Sequence, residues 1–368
     1  MTESTSMIPL TLRSLEATAI TVPMKRPLGT SARTISTASL LLVDIETNEG
    51  VGGCAYAFCY LPSIARSLVP IVAELGKALS GSRLVPVDLA DRVARYFKLP
   101  GLVGPLAMVA SSLDTAVWDA LAKAAGMPLA TYLGAEPRPI QAYNSNGLGL
   151  ISPEAAADEA EVLLERGFRG MKLRLGRADL ADDLAAVRAV RRRLPDTIKL
   201  MVDLNQALTF ADALRYGKAL DAEDVYWIEE PIRHDDYGHM ALIADKTETP
   251  IQMGENFAGL PPMAAALATS ASDYVMLDID RIGGVTGWQR AVGLSAAYNR
   301  ETSSHLFPEV SAHLLAATPN RHWLEYVDWA EPILQEPIVI ADGMAITPRR
   351  PGNGLSWDDD MVAKFRLG

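Results

Sequence analysis

The chain has 368 residues, 49% of them hydrophobic and 21% charged, and carries a formal net charge of −11. That length suits two or three domains, or one large barrel with an attachment. The acidic balance excludes a nucleic-acid binder, which needs a basic footprint, and two cysteines are too few for a disulfide framework or a zinc knuckle.

Leading into the first predicted element, the stretch MTESTSMIPLTLRS lacks the basic start and apolar core of a leader, and no apolar run is long enough to span a membrane. A cytoplasmic protein, with neither nucleic acid nor membrane as partner, is the expectation. Leu15–Val22 is rich in β-branched and apolar residues and predicts a strand that stops at Pro23. The following PMKRPLGTSART holds two prolines, one glycine and three basic residues and predicts an exposed loop. Ala38–Glu46, a turn at Asn48–Gly50 and Val51–Phe58 predict a hairpin, with Cys54 and Cys59 as buried thiols. Leu61–Leu79, Leu84–Phe97 and Pro105–Ala125 predict helices. In the last of these Asp114 and Asp119 read as solvated positions. Strands followed by helices make this region an α+β domain.

From Pro139 the pattern alternates. Predicted strands are Ile140–Ser145, Gly170–Leu175, Ile198–Leu204, Val225–Glu230, Pro250–Glu255, Asp273–Asp278, Thr302–Leu306 and Trp323–Tyr326. Helical stretches such as Pro153–Arg166 and Leu180–Arg193 lie between them, and Glu309–Ala317 separates the last two strands. Asp203, Glu229 and Glu255 are spaced 26 residues apart, the length of one strand, one helix and two loops. A closed (β/α) barrel with an irregular helix near its end fits this order. The rival is an open doubly wound sheet, to whose glycine-rich phosphate turn SNGLGLIS at Ser145–Ser152 is a poor match.

In such a barrel the C-terminal strand ends face the active site. In order they offer Ser145, Lys172 with Arg174, Asp203 with Asn205, Glu229, Glu255 with Asn256, Asp278, His305 and Glu325. Polar ends on largely apolar strands predict a catalytic centre. Asp203, Glu229 and Glu255 bring three anions together, which requires a cation, and hard oxygen ligands suit Mg²⁺. Lys172 and Arg174, at i and i+2, project from one face of one strand. Asp278 on the strand next to His305 is placed to orient the imidazole and raise its basicity. His234, His239, His313 and His322 read as loop or helix residues without a partner.

Together these residues resemble the enolase superfamily, in its mandelate racemase subgroup. The motifs are GFRGMKLRLG, MVDLNQ, WIEEP, QMGENF, IGGVTGW, SSHLF, SAHLLAATP and HWLE, and the resemblance covers nearly the whole chain. It implies a (β/α)7β TIM-like barrel with an α+β capping domain built from both ends of the chain. Residues 1–138 would form the cap, with a substrate lid at 24–35; 139–329 the barrel; and 330–368 a tail returning to the cap. It further implies one Mg²⁺, or Mn²⁺, per subunit on Asp203, Glu229 and Glu255, a His305–Asp278 general base, and Glu325 and Lys172 beside the substrate carboxylate. A homo-oligomer acting on a small carboxylate completes the implication.

One position departs from the family pattern: Lys172-Leu173-Arg174 stands where the subgroup carries Lys-x-Lys. Arginine rarely serves as a base. Arg174 is therefore expected to shuttle a proton in a two-base racemase, to clamp an anion beside a sole His305, or to belong to a binding protein with little catalysis. The expectation is a racemase or epimerase of small α-hydroxycarboxylates. An acid-sugar or hydroxy-diacid dehydratase is the alternative, and a non-catalytic hydroxy-acid binder the second alternative. Asn205, Ser145, Tyr60 and the lid residues Lys25 and Arg26 are the expected substrate contacts, with Tyr56 and Phe58 as an apolar side.

Overall fold

The computed structural model describes residues 9–368, so most of the stretch read for a leader lies outside the described residues. β1 (Leu12–Gly29), β2 (Thr34–Thr47) and β3 (Gly52–Phe58) form an antiparallel sheet in the order β1-β2-β3. The helices Pro62–Leu79 and Pro105–Ala124 pack on it, each opened by a proline in its first turn, where the missing N–H costs nothing. The strand predicted to stop at Pro23 continues to Gly29. Pro23 still pairs with Thr37, and a register shift between Pro23 and Leu28 takes up Pro27, after which Leu28 pairs with Ile35 and Gly29 with Thr34. Prolines are tolerated where the ladder is already interrupted. The expected loop is thus a β-hairpin whose turn is only residues 30–33.

Eight parallel strands follow: β4 (Pro139–Asn144), β5 (Gly170–Arg174), β6 (Lys199–Asp203), β7 (Ile228–Glu229), β8 (Ile251–Met253), β9 (Tyr274–Asp278), β10 (Glu301–His305) and β11 (Leu324–Tyr326). They pair in sequence from β4 to β10, and β11 pairs with β4. Ser304 N–H donates to Trp323 O at 3.0 Å and closes the ring. The chain is a (β/α) barrel with an antiparallel-sheet cap. Several strands are shorter than predicted; β8, for one, ends at Met253, and Glu255 beyond it leaves the ladder to enter the site. The tail first adds a hairpin, β12 (Val339–Ala341) and β13 (Met344–Ile346), with β13 antiparallel to β4 of the barrel. It then reaches the cap, where Trp357 Nε1 donates to Asp44 at 2.8 Å and Leu367 N–H to Ala19 O at 2.9 Å. Among the described residues no helix is long and apolar enough to cross a membrane.

Asp114 and Asp119 are not solvated; both are buried. Asp114 accepts Thr286 N–H at 2.8 Å, joining the cap helix to the barrel helix Gly284–Ala297. Asp119 accepts Cys54 N–H at 2.9 Å and Asn353 N–H at 2.6 Å and pairs with Lys123 at 2.6 Å. One carboxylate therefore ties β3, the cap helix and the tail. Asp119→Ala, which strands two buried N–H groups and a lysine, is expected to lower unfolding stability by about 3 kcal/mol. Chemical denaturation checks this, and an unchanged midpoint would contradict the assigned role.

Candidate active site

The strand registers align the polar ends. Arg174 is the ladder partner of Asp203, Asp203 of Glu229, and Asp278 of His305. Alternation along β5 sends Met171 and Leu173 into the apolar core and leaves Lys172 and Arg174 on the barrel-interior side. Glu255 is reached differently: β8 ends at Met253, and Gly254, at φ +128°, turns the chain. A Cβ on Gly254 would lie 2.6 Å from Met276 O, so this turn needs glycine.

Oxygens of Asp203, Glu229 and Glu255 lie within 4.8 Å of one another. Lys172 Nζ is fully buried beside them, 2.7 Å from Glu229, 2.8 Å from Glu325 and 3.2 Å from Asp203. Trp227 Nε1 and Gln252 Nε2 donate to the other Glu229 oxygen at 3.2 and 3.1 Å. Asn205 donates to both Asp203 oxygens through its backbone and its amide. Burial and the neighbouring carboxylates, against the pull of Lys172, push Glu229 up to about 8. The donor set is three carboxylates crowded into apolar surroundings with one lysine for four acids. It fits a hard divalent cation such as Mg²⁺, which supplies the missing positive charge.

His305 Nδ1 lies 2.5 Å from Asp278 Oδ2, and Nε2 lies 3.3 Å from Glu255 and 3.9 Å from Glu325. Burial alone would lower the imidazole, but Glu255, Asp278 and Glu325 outweigh it and raise it to about 9. Glu325 accepts Leu306 N–H at 2.9 Å. Burial pulls its carboxyl up, yet Lys172 and His305 hold it well below the usual range. Arg174 is buried and pinned: its guanidinium donates to Gly147 O at 2.8 Å, Ser145 O at 3.2 Å and Ser145 Oγ at 3.2 Å.

These groups line a cavity of about 240 Å³ beneath the cap. Lys172, Arg174, Asp203, Asn205, Glu255, His305 and Glu325 form its polar floor. Leu28, Ile35, Phe58, Leu306 and Trp329 form an apolar wall, and Arg33 from the hairpin turn also reaches it. A larger hollow of about 790 Å³ on the outer side of the cap, lined by Leu10, Val85 and Met127 among others, has no such convergence of polar groups.

Four expected contacts lie outside the lining of this cavity. Lys25 and Arg26 are not in the lining; Lys25 pairs with Asp328 and Glu331 at 3.0 and 3.1 Å, and Arg26 with Glu159 at 3.2 Å. Their long side chains find carboxylates on the barrel rim instead of pointing inward. Ser145 holds Arg174 and does not line the cavity. Tyr56 turns away to donate to Glu309 at 2.9 Å. The histidines read as partnerless have partners: Tyr226 for His322 at 2.9 Å, Ala130 N–H for His313 at 3.2 Å and Asp236 for His239 at 2.7 Å, while the backbone N–H of His234 donates to Gln206 at 3.1 Å. Tyr60 does line the cavity and accepts from Arg281 at 3.0 Å. Arg281 and Trp329 line it without having been singled out from the sequence. Arg281 lies three residues past Asp278, within reach of a strand-end search extended by one turn; Trp329 has no sequence signal.

Two sequence-family models match the chain: the mandelate racemase / muconate lactonizing enzyme N-terminal domain over residues 14–134, and the enolase C-terminal domain-like family over residues 155–361. L-talarate/galactarate dehydratase of Salmonella typhimurium is 31% identical, over 88% of this chain and 82% of its own. A crystal structure of an enolase from alpha proteobacterium bal199 with bound Mg shares 43% identity at a TM-score of 0.95, covering 97% of this chain and 100% of that one. An enolase from Bradyrhizobium complexed with magnesium and mandelic acid shares 38% identity at a TM-score of 0.94, covering 98% and 100%.

Glu230 separates a ligand from a bystander. It is buried, accepts both its bonds from Asn256 at 2.8 and 2.9 Å, and burial and Glu255 push its carboxyl well above the usual range. Glutamine keeps an oxygen to accept from Asn256. Glu230→Gln is expected to leave Mg²⁺ affinity within about threefold, while Glu255→Gln weakens it by about 100-fold or more. Calorimetric titration decides, and equal losses would break the ligand assignment.

Proposed function

The chain belongs to the mandelate racemase/muconate lactonizing enzyme family of the enolase superfamily, and on that premise we propose that it is a Mg²⁺-dependent enzyme that removes the α-proton of a small α-hydroxycarboxylate with His305 as its single acid–base. The observation that carries this reading is the pairing of an Asp278-anchored imidazole with a guanidinium immobilised on Ser145 and Gly147. Mg²⁺ held by Asp203, Glu229 and Glu255 would supply positive charge that stabilises an enediolate and offsets the pull of Glu255 on His305.

With Asp278 accepting Nδ1–H, Nε2 of a neutral imidazole is the free lone pair, and it faces the carboxylate side of the cavity. It takes the α-proton while charge moves onto the substrate carboxylate. Lys172 balances that charge. A substrate carboxylate arriving beside Glu325 adds a like charge, which raises the proton affinity of Glu325 and favours it as a hydrogen-bond donor. Arg174 keeps its own proton, so the second half-reaction stays on His305. Where the substrate has a β-hydroxyl, His305 returns its proton to that oxygen, water leaves, and the enol becomes a 2-keto acid by taking a proton from solvent. This dehydration is the outcome the geometry supports best, and it matches the name of the 31% identical relative. Racemisation is the second reading. The apolar wall and the mandelic acid complex of the 38% identical structure favour it, but it requires Arg174 to exchange a proton.

Two experiments follow. His305→Asn is expected to reduce α-proton exchange in D₂O by about 10³-fold or more; retained exchange would remove His305 from the reaction. The wild type, incubated with aldarates, 2,3-dihydroxy acids and each enantiomer of mandelate, is expected to release a 2-keto acid and to leave mandelate enantiomers unconverted, whereas Arg174→Lys gains interconversion. Interconversion by the wild type that Arg174→Lys abolishes would establish the racemase reading instead.

A further inference from the structure

Lys25 and Arg26 are adjacent in β1 and reach two different parts of the barrel, Lys25 the segment after β11 and Arg26 the helix Pro153–Val162. Arg26 Nε meets Glu159 Oε1 at 3.2 Å, with side chains 30% and 21% exposed. The other oxygen of Glu159 accepts Leu148 N–H at 2.6 Å. Leu148 belongs to the loop that immobilises Arg174: Ser145 O, Ser145 Oγ and Gly147 O hold the guanidinium, and Leu148 O accepts Arg174 N–H at 2.9 Å. Glu159 thus touches the hairpin with one oxygen and the seat of Arg174 with the other.

The packing leaves no slack between these parts. Gly147 has φ +60°, and a Cβ there would sit 2.6 Å from the Glu159 carboxylate. A Cβ on Gly149 would sit 2.9 Å from Gly29 Cα, so the hairpin backbone rests directly on the loop. At the hairpin turn Ser31 Oγ donates to Leu204 O and Asn205 O at 3.4 Å, beside the Asp203 carboxylate. The hairpin also supplies Leu28, Arg33 and Ile35 to the cavity, so its seating sets one wall.

We propose that Glu159 is a positioning residue that couples the seating of the 24–35 hairpin, through Arg26, to the placement of the Arg174 guanidinium, and so sets which anionic substrates are held for reaction. The catalytic part of this inference rests on the function proposed above. A half-exposed ion pair is itself weak; the shorter bond to Leu148, with a charged acceptor, is the stronger limb. The two limbs separate by mutation. Arg26→Ala and Glu159→Gln cut the hairpin limb while keeping an acceptor for Leu148. Glu159→Ala cuts both. Lys25→Ala loosens the same hairpin through Asp328 and Glu331 without touching Glu159.

Amide exchange over 143–150 and 24–35, with the Mg²⁺-dependent affinity for mandelate by calorimetry, reads the coupling without turnover. Glu159→Ala is expected to speed Leu148 exchange about tenfold or more and to weaken mandelate binding about tenfold. Arg26→Ala and Glu159→Gln are expected to weaken binding about threefold to fivefold, with Leu148 exchange within twofold of wild type. On a turned-over hydroxy acid those two variants raise KM with kcat within twofold, while Glu159→Ala also lowers kcat about tenfold. Unchanged Leu148 exchange in Glu159→Ala, or a Lys25→Ala variant that reproduces its exchange pattern, would overturn the proposal. A wild type inactive on every hydroxy acid would overturn the function above and leave the exchange test standing.

Discussion

Four buried carboxylates, Asp203, Glu229, Glu255 and Glu325, crowd the mouth of the barrel, where one buried lysine, Lys172, pairs with three of them. That charge imbalance is the constraint on which the site depends. Ionised acids in low-dielectric surroundings repel one another and lose their hydration, so the cluster is tolerable only with compensation. Lys172 supplies part of it, indole and amide donors supply more, and the upward push on the Glu229 carboxyl from burial and its neighbours is the local sign of what remains. A divalent cation on three of the acids completes the balance. The surplus of negative charge that makes the cluster costly by itself is what suits it to a divalent metal.

The same imbalance shapes the two groups that choose the reaction. His305 is drawn towards its protonated form by Glu255, Asp278 and Glu325, so the proposed service as a base would be linked to neutralisation of Glu255. Arg174 is the opposite case. Bonds to Ser145 and Gly147 hold its guanidinium in place. An imidazole among carboxylates and a held guanidinium make an asymmetric site, which favours the proposed chemistry on one face of a substrate.

The cap works by adhesion as much as by shape. Buried carboxylates on its long helix, Asp114 and Asp119, fasten it to the barrel and to the tail. Ion pairs from Lys25 and Arg26 fasten its hairpin to the barrel rim. Phe58, Leu28 and Ile35 are thereby held over the polar floor. A hairpin seated on the loop that anchors Arg174 joins substrate enclosure to the geometry of the floor.

The barrel, its polar strand ends, the carboxylate triad and the His305–Asp278 pair were all legible in the chain itself. Parallel strands repeat at a spacing set by helix length, and alternation fixes which side chains face inward, so local pattern carries that information. The roles of Lys25, Arg26, Ser145, Asp114 and Asp119 were not legible. Each depends on a partner more than a hundred residues away or on which way one flexible side chain turns. The pinning of Arg174 is of this second kind: residue identity showed a cation where the family carries a lysine, and only the fold brought the Ser145 and Gly147 carbonyls onto it. Sequence alone determined which chemistry converges at the barrel mouth, because strand periodicity is local. Tertiary structure decided which of those groups are held and by what, because hydrogen-bond partners are chosen in three dimensions.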